Sequence, residues 1–442
     1  MIALAELIEH FEPDLLRRFE HSLLPSQHQA LAAMKRCRTR FAPRMLAQCT
    51  GCSEQRSVPH SCGHRACPHC QHHEGQVWLQ RQLALLVPAT YFLVTFTLPA
   101  ELRGLAWTHQ RTVYPLLMQC AWETLSTFSR NDPKLGATPG AVGVLHTNSR
   151  RLDFHPHIHM VMPAAALDTQ RRLWRTKPGR RHRASKKTAG AASAASAANA
   201  ANSANSTNTT NTTNTTNAAH PNTSAANRNA GGTPAGAYLF SHKALAKVFR
   251  AKLLDAIELA GLVLPPKLPS LWVVDFKCVG DGSKALLYLG RYLYRGVIQE
   301  ADILTCKDGL VTFRYRDAKT GKSALRTLPG ADFLWLVLQH VLPKGLRRSR
   351  NFGFLHPNSA QAIRLLQVLH LRAAPSAGLP AIPPRATWRC TCGQPMRVIR
   401  RRMPPQEPAA DGRATQSHSA PGPAPGPIHN NSPGADRTAP LN

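Results

Sequence analysis

The stretch Asp153 to Pro163, DFHPHIHMVMP, places two histidines two residues apart. In an extended strand alternate side chains share a face, so His157, His159 and Val161 point one way. Ile158, Met160 and Met162 point the other way and are apolar enough to lie on a core. Two imidazoles on one face can close on a single divalent cation. The plain alternative is a pair of half-exposed strand histidines, and a second feature argues against it. On SKALLYLGRYLYRGVI, Lys284, Tyr288, Tyr292 and Arg295 fall at i, i+4, i+8 and i+11 of a predicted helix, with Arg291 beside them. Leu286, Leu289, Leu293 and Val297 form the opposite, buried stripe.

Tyrosines on a basic face suit attack on a phosphodiester. Phenol has a pKa of about 10, so the nucleophile needs nearby cations that favour the phenolate. A metal held by His157 and His159 would offset the charge that develops on the phosphate. The products are a covalent phosphotyrosine and a free 3′ hydroxyl, so the bond energy is conserved and rejoining needs no ATP. Two tyrosines a helical turn apart allow two such transfers in succession. His155 shares the strand face, but three successive positions span about 13 Å, too far to close on one ion. The pattern does not identify the third ligand, and His146, on the preceding strand, is a candidate only.

A second chemistry sits nearer the N-terminus. Six of the 11 cysteines lie between Cys37 and Cys70, and the sequence shows no export signal, so metal binding is expected rather than disulfides. Cys49-Thr-Gly-Cys52 and Cys67-Pro-His-Cys70 are two CxxC knuckles separated by 14 residues. Together they predict one closed, tetrahedral zinc site, structural rather than catalytic. Cys37, Cys62, His60 and His64 are additional candidates, for a second site or as replacements. Cys390 and Cys392, a CxC without a visible partner, are candidates for a late metal knuckle in the segment 346–402. Arg56 and Arg65 suit contact with phosphates.

The elements that must position these groups follow from the pattern. Residues 1 to about 48 read as helical. TYFLVTFTLP is a strand ending at Pro99, and 105 to 130 reads as an amphipathic helix. AVGVLHTNS and the histidine strand follow as an antiparallel pair. Nine Lys or Arg and no acid occur in 171 to 187, and 189 to 236 is almost wholly Ala, Asn, Ser, Thr and Gly, a composition that predicts a disordered insertion over 171–236. Order resumes with a helix to Gly261, the strand LWVVDFK, the tyrosine helix, a hairpin at VTFRYRD and a helix at ADFLWLVLQHVLP. Net charge is +31, with 55 Lys and Arg against 24 Asp and Glu. So large an excess predicts a nucleic-acid partner and no membrane association. No apolar run reaches membrane-spanning length.

Taken in order, CxxC…CxxC, FTLP, HPHIH, YLGRYLYR and HVLPKGLRRSRNFGFL resemble the rolling-circle transposases of bacterial insertion sequences, members of the HUH endonuclease superfamily. The likeness is to the paired-tyrosine type with an N-terminal transposase zinc-binding domain, and it covers roughly residues 10 to 165 and 238 to 400. It implies an α+β fold: a helical and zinc-binding domain over 1–86, then a catalytic domain over 87–345 with a central antiparallel sheet flanked by helices. A basic C-terminal segment over 346–402 and a disordered tail over 403–442 complete the expectation. The resemblance makes His157 and His159 the ligands of catalytic Mg2+ or Mn2+, Tyr288 and Tyr292 the nucleophiles, and Lys284, Arg291 and Arg295 DNA contacts. Zn2+ is the structural metal. Single-stranded DNA at transposon ends and target DNA are the implied partners, in the bacterial cytoplasm at the nucleoid. A replication initiator or relaxase shares this chemistry, and a non-catalytic zinc-dependent DNA-binding protein derived from a transposase is the reading from another class.

Overall fold

The computed structural model describes residues 2–168, 170–171, 173–177, 239–293, 296–317, 320–369 and 388–405. In chain order the helices and strands are α1 (Leu4–Phe19), α2 (Pro25–Arg36), β1 (Arg44–Cys49), β2 (Gln55–Pro59), α3 (His72–Leu83) and β3 (Tyr91–Thr97). Next come α4 (Arg103–Thr108), α5 (Gln110–Arg130), β4 (Thr138–Asn148), β5 (Phe154–Pro163), β6 (Ala165–Asp168) and β7 (Leu173–Thr176). After the insertion come α6 (His242–Leu259), β8 (Val274–Cys278), α7 (Ser283–Leu293), β9 (Ile303–Lys307), β10 (Leu310–Arg316) and β11 (Ser323–Pro329). The last are α8 (Gly330–Leu338), β12 (Ser349–Gly353), α9 (Ala360–Leu369) and β13 (Met396–Met403).

The central sheet runs β7-β6-β4-β5-β3-β8, with β12 also on β4, and every strand pairing among the described residues is antiparallel. The period-2 pattern of the histidine strand decides what covers each side. Ile158, Met160 and Met162 are fully buried on one face, among α5 and α6 side chains such as Leu117, Leu125, Phe249 and Leu253. Val161, with Val142 and Val144 of β4, lies on the other face, where α3 and α7 contribute Trp78, Leu79, Leu286 and Leu289. Both faces of the middle strands are therefore dry, which explains why β4 reads as nearly continuous apolar sequence.

The N-terminal helices pack against segments far along the chain. Leu7, Ile8, Phe11 and Leu15 of α1 share a core with Phe333, Leu334 and Val337 of α8 and with Phe313 of β10. The described residues up to Pro405 accordingly form one compact unit. The basic segment after residue 345 is likewise built in, with β12 pairing Gly140 to Val144 of β4.

The expected insertion begins later than its charge suggested. Asp168 Oδ1 accepts the backbone N–H groups of Gln170 and Arg171, closing a hairpin that pairs β7 with β6. Lys177 then donates its backbone N–H to Ala164 and pairs its ammonium with Asp132. Leu173 and Trp174 favour a strand, and this pairing outweighs the local basic composition. Residues 178–238, which take in the rest of the expected insertion, and 406–442, most of the expected tail, lie outside the described residues. Among the described residues no helix is long and apolar enough to cross a membrane.

Candidate active site and zinc-type cysteine clusters

Strand register builds the histidine cluster. His157 on β5 lies directly opposite His146 on β4, so the two rings must share a face, and His159 follows one period along the same strand. The ligand nitrogens of His146, His157 and His159 all lie within 4.8 Å of one another. Ring centroids are 5.3 Å apart for His146 and His157, 4.6 Å for His146 and His159, and 4.8 Å for His157 and His159. The strand pitch that excluded His155 thus leaves the cross-strand position open. His155 is instead engaged by Arg103, which donates to its Nδ1 at 2.7 Å.

Hydrogen bonds set which nitrogen faces inward. His157 Nδ1 is 2.7 Å from the carbonyl of His155, an acceptor only, so Nδ1 carries the proton and Nε2 keeps its lone pair. His159 Nδ1 is 3.0 Å from Thr95 Oγ1, directly across the sheet on β3. Behind the cluster, His340 bridges Thr147 Oγ1 at 3.2 Å and the Leu152 carbonyl at 2.9 Å, pinning the β4–β5 connection. Thr95, Arg103 and His340 are not evident from the sequence pattern; only His340 carries a signal, inside the HVLPKG stretch.

Burial keeps these imidazoles neutral. It lowers His157 to about 4, against a weaker opposing bond to His155. It lowers His159 to about 3, with the neighbouring His157 adding to the effect. His146 is lowered well below its ordinary value, again by burial first and the other two histidines second. Burial also takes His340 to about 4. Neutral imidazole is the form that binds a metal. The sign for stability follows. Between pH 6.5 and about 4 the unfolded chain binds protons at these positions that the native chain refuses, so stability rises with pH there and falls on acidification. The metal-free protein is expected to show a thermal midpoint that drops steadily from about pH 6.5 to about 4.5. A flat midpoint over that range, by calorimetry, would contradict the buried neutral state.

The tyrosine helix lies across the same face. Leu286, Leu289 and Leu293 are buried, each stabilising the docking by about 1.5–3 kcal/mol, while Lys284, Leu287, Tyr288 and Arg291 are exposed. Gly290 lets the helix approach α3, since a Cβ there would lie 3.3 Å from the Trp78 ring. Asp281 Oδ1 accepts the Ser283 N–H at the start of α7, and Arg348 donates to the Leu293 carbonyl at its end. So held, α7 sets the Tyr288 ring 6.2 Å from that of His159, edge to face at 86°. Tyr288 is 39% exposed. Tyr292 occupies the next turn of α7, its side chain lying outside the described residues, as does Arg295.

The cysteines fall into two groups, not the single site that the two CxxC knuckles predicted. Cys67 and Cys70 join Cys37 and Cys62, whereas Cys49 and Cys52 join Cys390 and Cys392. In the first group Cys37 and Cys70 are 3.5 Å apart, and Cys62–Cys70 and Cys67–Cys37 are 3.6 Å apart. Zinc–sulfur bonds of about 2.3 Å around a tetrahedron put the sulfurs roughly 3.8 Å apart, so the group fits zinc. Hydrogen bonds from Cys62 and then Cys67 lower Cys37 to about 7, towards the thiolate that zinc requires. The knuckles are separated because β1 and β2 carry Cys49 and Cys52 away at the end of a hairpin. His60 and His64 join neither group. His60 Nδ1 meets the Ser61 carbonyl, and His64 Nδ1 accepts the Ala66 N–H.

Comparison with known families fits this geometry. Residues 140–362 match the family described as "Putative transposase", and this match takes in just over half of the chain, including the histidine strand and the tyrosine helix. The chain belongs to this transposase family. Residues 7–98 of this transposase match the "Transposase zinc-binding domain", which contains all four cysteines of the first group. Among relatives of the family, the chain is 27% identical over 373 residues to "Putative transposase y4qJ" of Sinorhizobium fredii, covering 77% of this chain and 79% of the relative. It is 24% identical over 326 residues to the "Transposase for insertion sequence element IS801" of Pseudomonas savastanoi pv. phaseolicola, covering 69% of this chain and 63% of that relative. No solved structure matches it.

Proposed function

We propose that this transposase cuts and rejoins single-stranded DNA at insertion-sequence ends, by rolling-circle transposition of the HUH type, through a covalent phosphotyrosine. The observation that carries the reading is the exposed Tyr288 ring set against the His146–His157–His159 cluster, 6.2 Å from His159. Tyr288 Oη attacks the phosphorus of the scissile phosphodiester and gives up its proton. The bond to the 3′ oxygen breaks, and that oxygen leaves as a hydroxyl after gaining a proton. A later 3′ hydroxyl reverses the step on a new strand. Tyr292 offers a second acceptor one turn along. Lys284 and Arg291 hold the phosphate backbone over the helix.

The three imidazoles would hold the divalent cation, which when bound supplies electrostatic stabilisation to the phosphate. An all-imidazole donor set favours Mn2+ over Mg2+. Thr95 positions His159 through its Nδ1, so Thr95→Val, which keeps the strand and removes the hydroxyl, is expected to weaken metal affinity about 10- to 100-fold. The check is the Mn2+ concentration giving half-maximal cleavage; an unchanged value would show Thr95 to be packing only.

The decisive experiment is a denaturing gel of a labelled single strand carrying the element's own end. A protein-linked band that needs metal and disappears in Tyr288→Phe/Tyr292→Phe supports the reading. Zinc-loaded, folded protein that binds this DNA and never forms the band refutes it, leaving a non-catalytic DNA-binding role.

A further inference from the structure

The second cysteine group is made of two segments from opposite ends of the chain. The Cys49–Cys52 knuckle turns β1 into β2, and Cys390 and Cys392 lie in the loop that leads into β13. That strand pairs along the free side of β1, from Cys49 opposite Met396 to Arg44 opposite Met403. Gly393, at φ +85°, turns the CxC loop, and the backbone N–H groups of Gly51 and Cys52 point at Cys49 Sγ at 3.3 and 3.5 Å. Sγ atoms of Cys49 and Cys392 are 3.5 Å apart, as are those of Cys52 and Cys390, and all four lie within 4.8 Å. That is too long for a disulfide and close to the tetrahedral zinc edge of about 3.8 Å.

The cysteine count leads to the same place. The segment matching the zinc-binding domain holds six cysteines, four of which form the first group, so Cys49 and Cys52 are two ligands short. Cys390 and Cys392 fall outside both matched segments. Among the described residues the three-stranded sheet β13-β1-β2 has its own small core of Ala47, Cys49, Cys390 and Met396, with Met45 and Val58 also buried. A sheet with so small a core is marginal in water, and a cross-link would stabilise it. The surface is strongly cationic. Residues 44–59 and 388–405 carry seven arginines, no lysine and one acid, Glu54, and Arg397, Arg400, Arg401 and Arg402 are exposed along β13.

We propose that Cys49, Cys52, Cys390 and Cys392 hold a second structural zinc ion, which fastens β13 to the N-terminal hairpin and presents its arginines to DNA phosphates. Only the choice of DNA as the polyanion rests on the transposase reading; the metal site does not. Arginine on an edge strand offers guanidinium forks to successive phosphates without reading sequence. The ribbon would therefore add affinity and salt dependence rather than specificity.

The test uses the full chain with His157→Ala, which takes the imidazole cluster out of the metal count. Native mass spectrometry should find two zinc ions in this parent and one after Cys390→Ser/Cys392→Ser. One zinc in the parent, a disulfide in place of the metal, or two zincs retained in the serine variant would overturn the site. Duplex binding is then followed by fluorescence anisotropy across salt. Arg397→Ala/Arg400→Ala/Arg401→Ala, with both zincs retained, should bind at least roughly 10-fold more weakly, and its salt slope should fall by about 0.9 for each phosphate no longer neutralised. Unchanged affinity and slope would overturn the docking role. Two zincs and intact docking in this parent, together with no covalent adduct from the chain that keeps His157, would leave this inference standing and remove the strand-transfer reading instead.

Discussion

Phenylalanine at position 288 should leave the protein folded and slow formation of the protein–DNA adduct by roughly 10³-fold or more, which is about 4 kcal/mol of lost barrier lowering. The fold should tolerate the change because Tyr288 is 39% exposed while the helix is held by Leu286, Leu289 and Leu293. Loss of one partly exposed hydroxyl costs about 1 kcal/mol or less. Chemistry should not tolerate it, because the phenol oxygen is the atom that forms the new bond. Tyr292→Phe provides the contrast. It sits four residues along α7, about 6 Å of axial rise from Tyr288. It is expected to keep the first adduct and lose the second transfer. Single-turnover gels on both variants separate the roles, and a Tyr288→Phe protein that makes adduct at the parental rate would move the nucleophile elsewhere.

The histidine and tyrosine parts of this site are legible in the sequence because each depends on a local period. A two-residue repeat puts His157, His159 and Val161 on one face, and a helical repeat separates Tyr288 from Leu286 and Leu289; the burial of Ile158, Met160 and Leu289 agrees with both. What a period cannot report is which distant segment arrives opposite. His146 is a candidate by strand order, but only the register that sets it against His157 makes it a neighbour. The cysteines show the same limit more sharply. CxxC spacing says that two thiolates can share an ion; it does not say which other pair completes the set. Pairing Cys49–Cys52 with Cys67–Cys70 is the nearest choice in sequence, and the return of β13 to β1 replaces it with Cys390 and Cys392. Likewise the basic run after residue 170 hides a short strand, because the hairpin closed by Asp168 is a pairing effect rather than a compositional one.

The two cysteine groups should also differ in what their loss does, since they stand in different surroundings. Cys37 and Cys67 are buried in the core that α1 and α2 share with α8 and β10, so the first group sits among Leu31, Met34 and Phe313. Structural zinc contributes on the order of 10–16 kcal/mol, comparable to or above the roughly 5–15 kcal/mol net stability typical of a domain. Cys37→Ser should therefore abolish zinc at the first group and lower the thermal midpoint by roughly 10 °C or more, because about 10 kcal/mol lost moves a chain of this size by about 1–2 °C per kcal/mol. Through α8 the damage should reach His340 and the β4–β5 connection, so the same variant should lose adduct formation without any change at the tyrosines. Cys390→Ser, in the small core of the ribbon, should leave that midpoint within a few degrees. Calorimetry beside zinc analysis on the two variants checks the contrast. Equal midpoints would mean that the buried group adds no more to the fold than the exposed one, and that the α1–α8 core is stable without its metal.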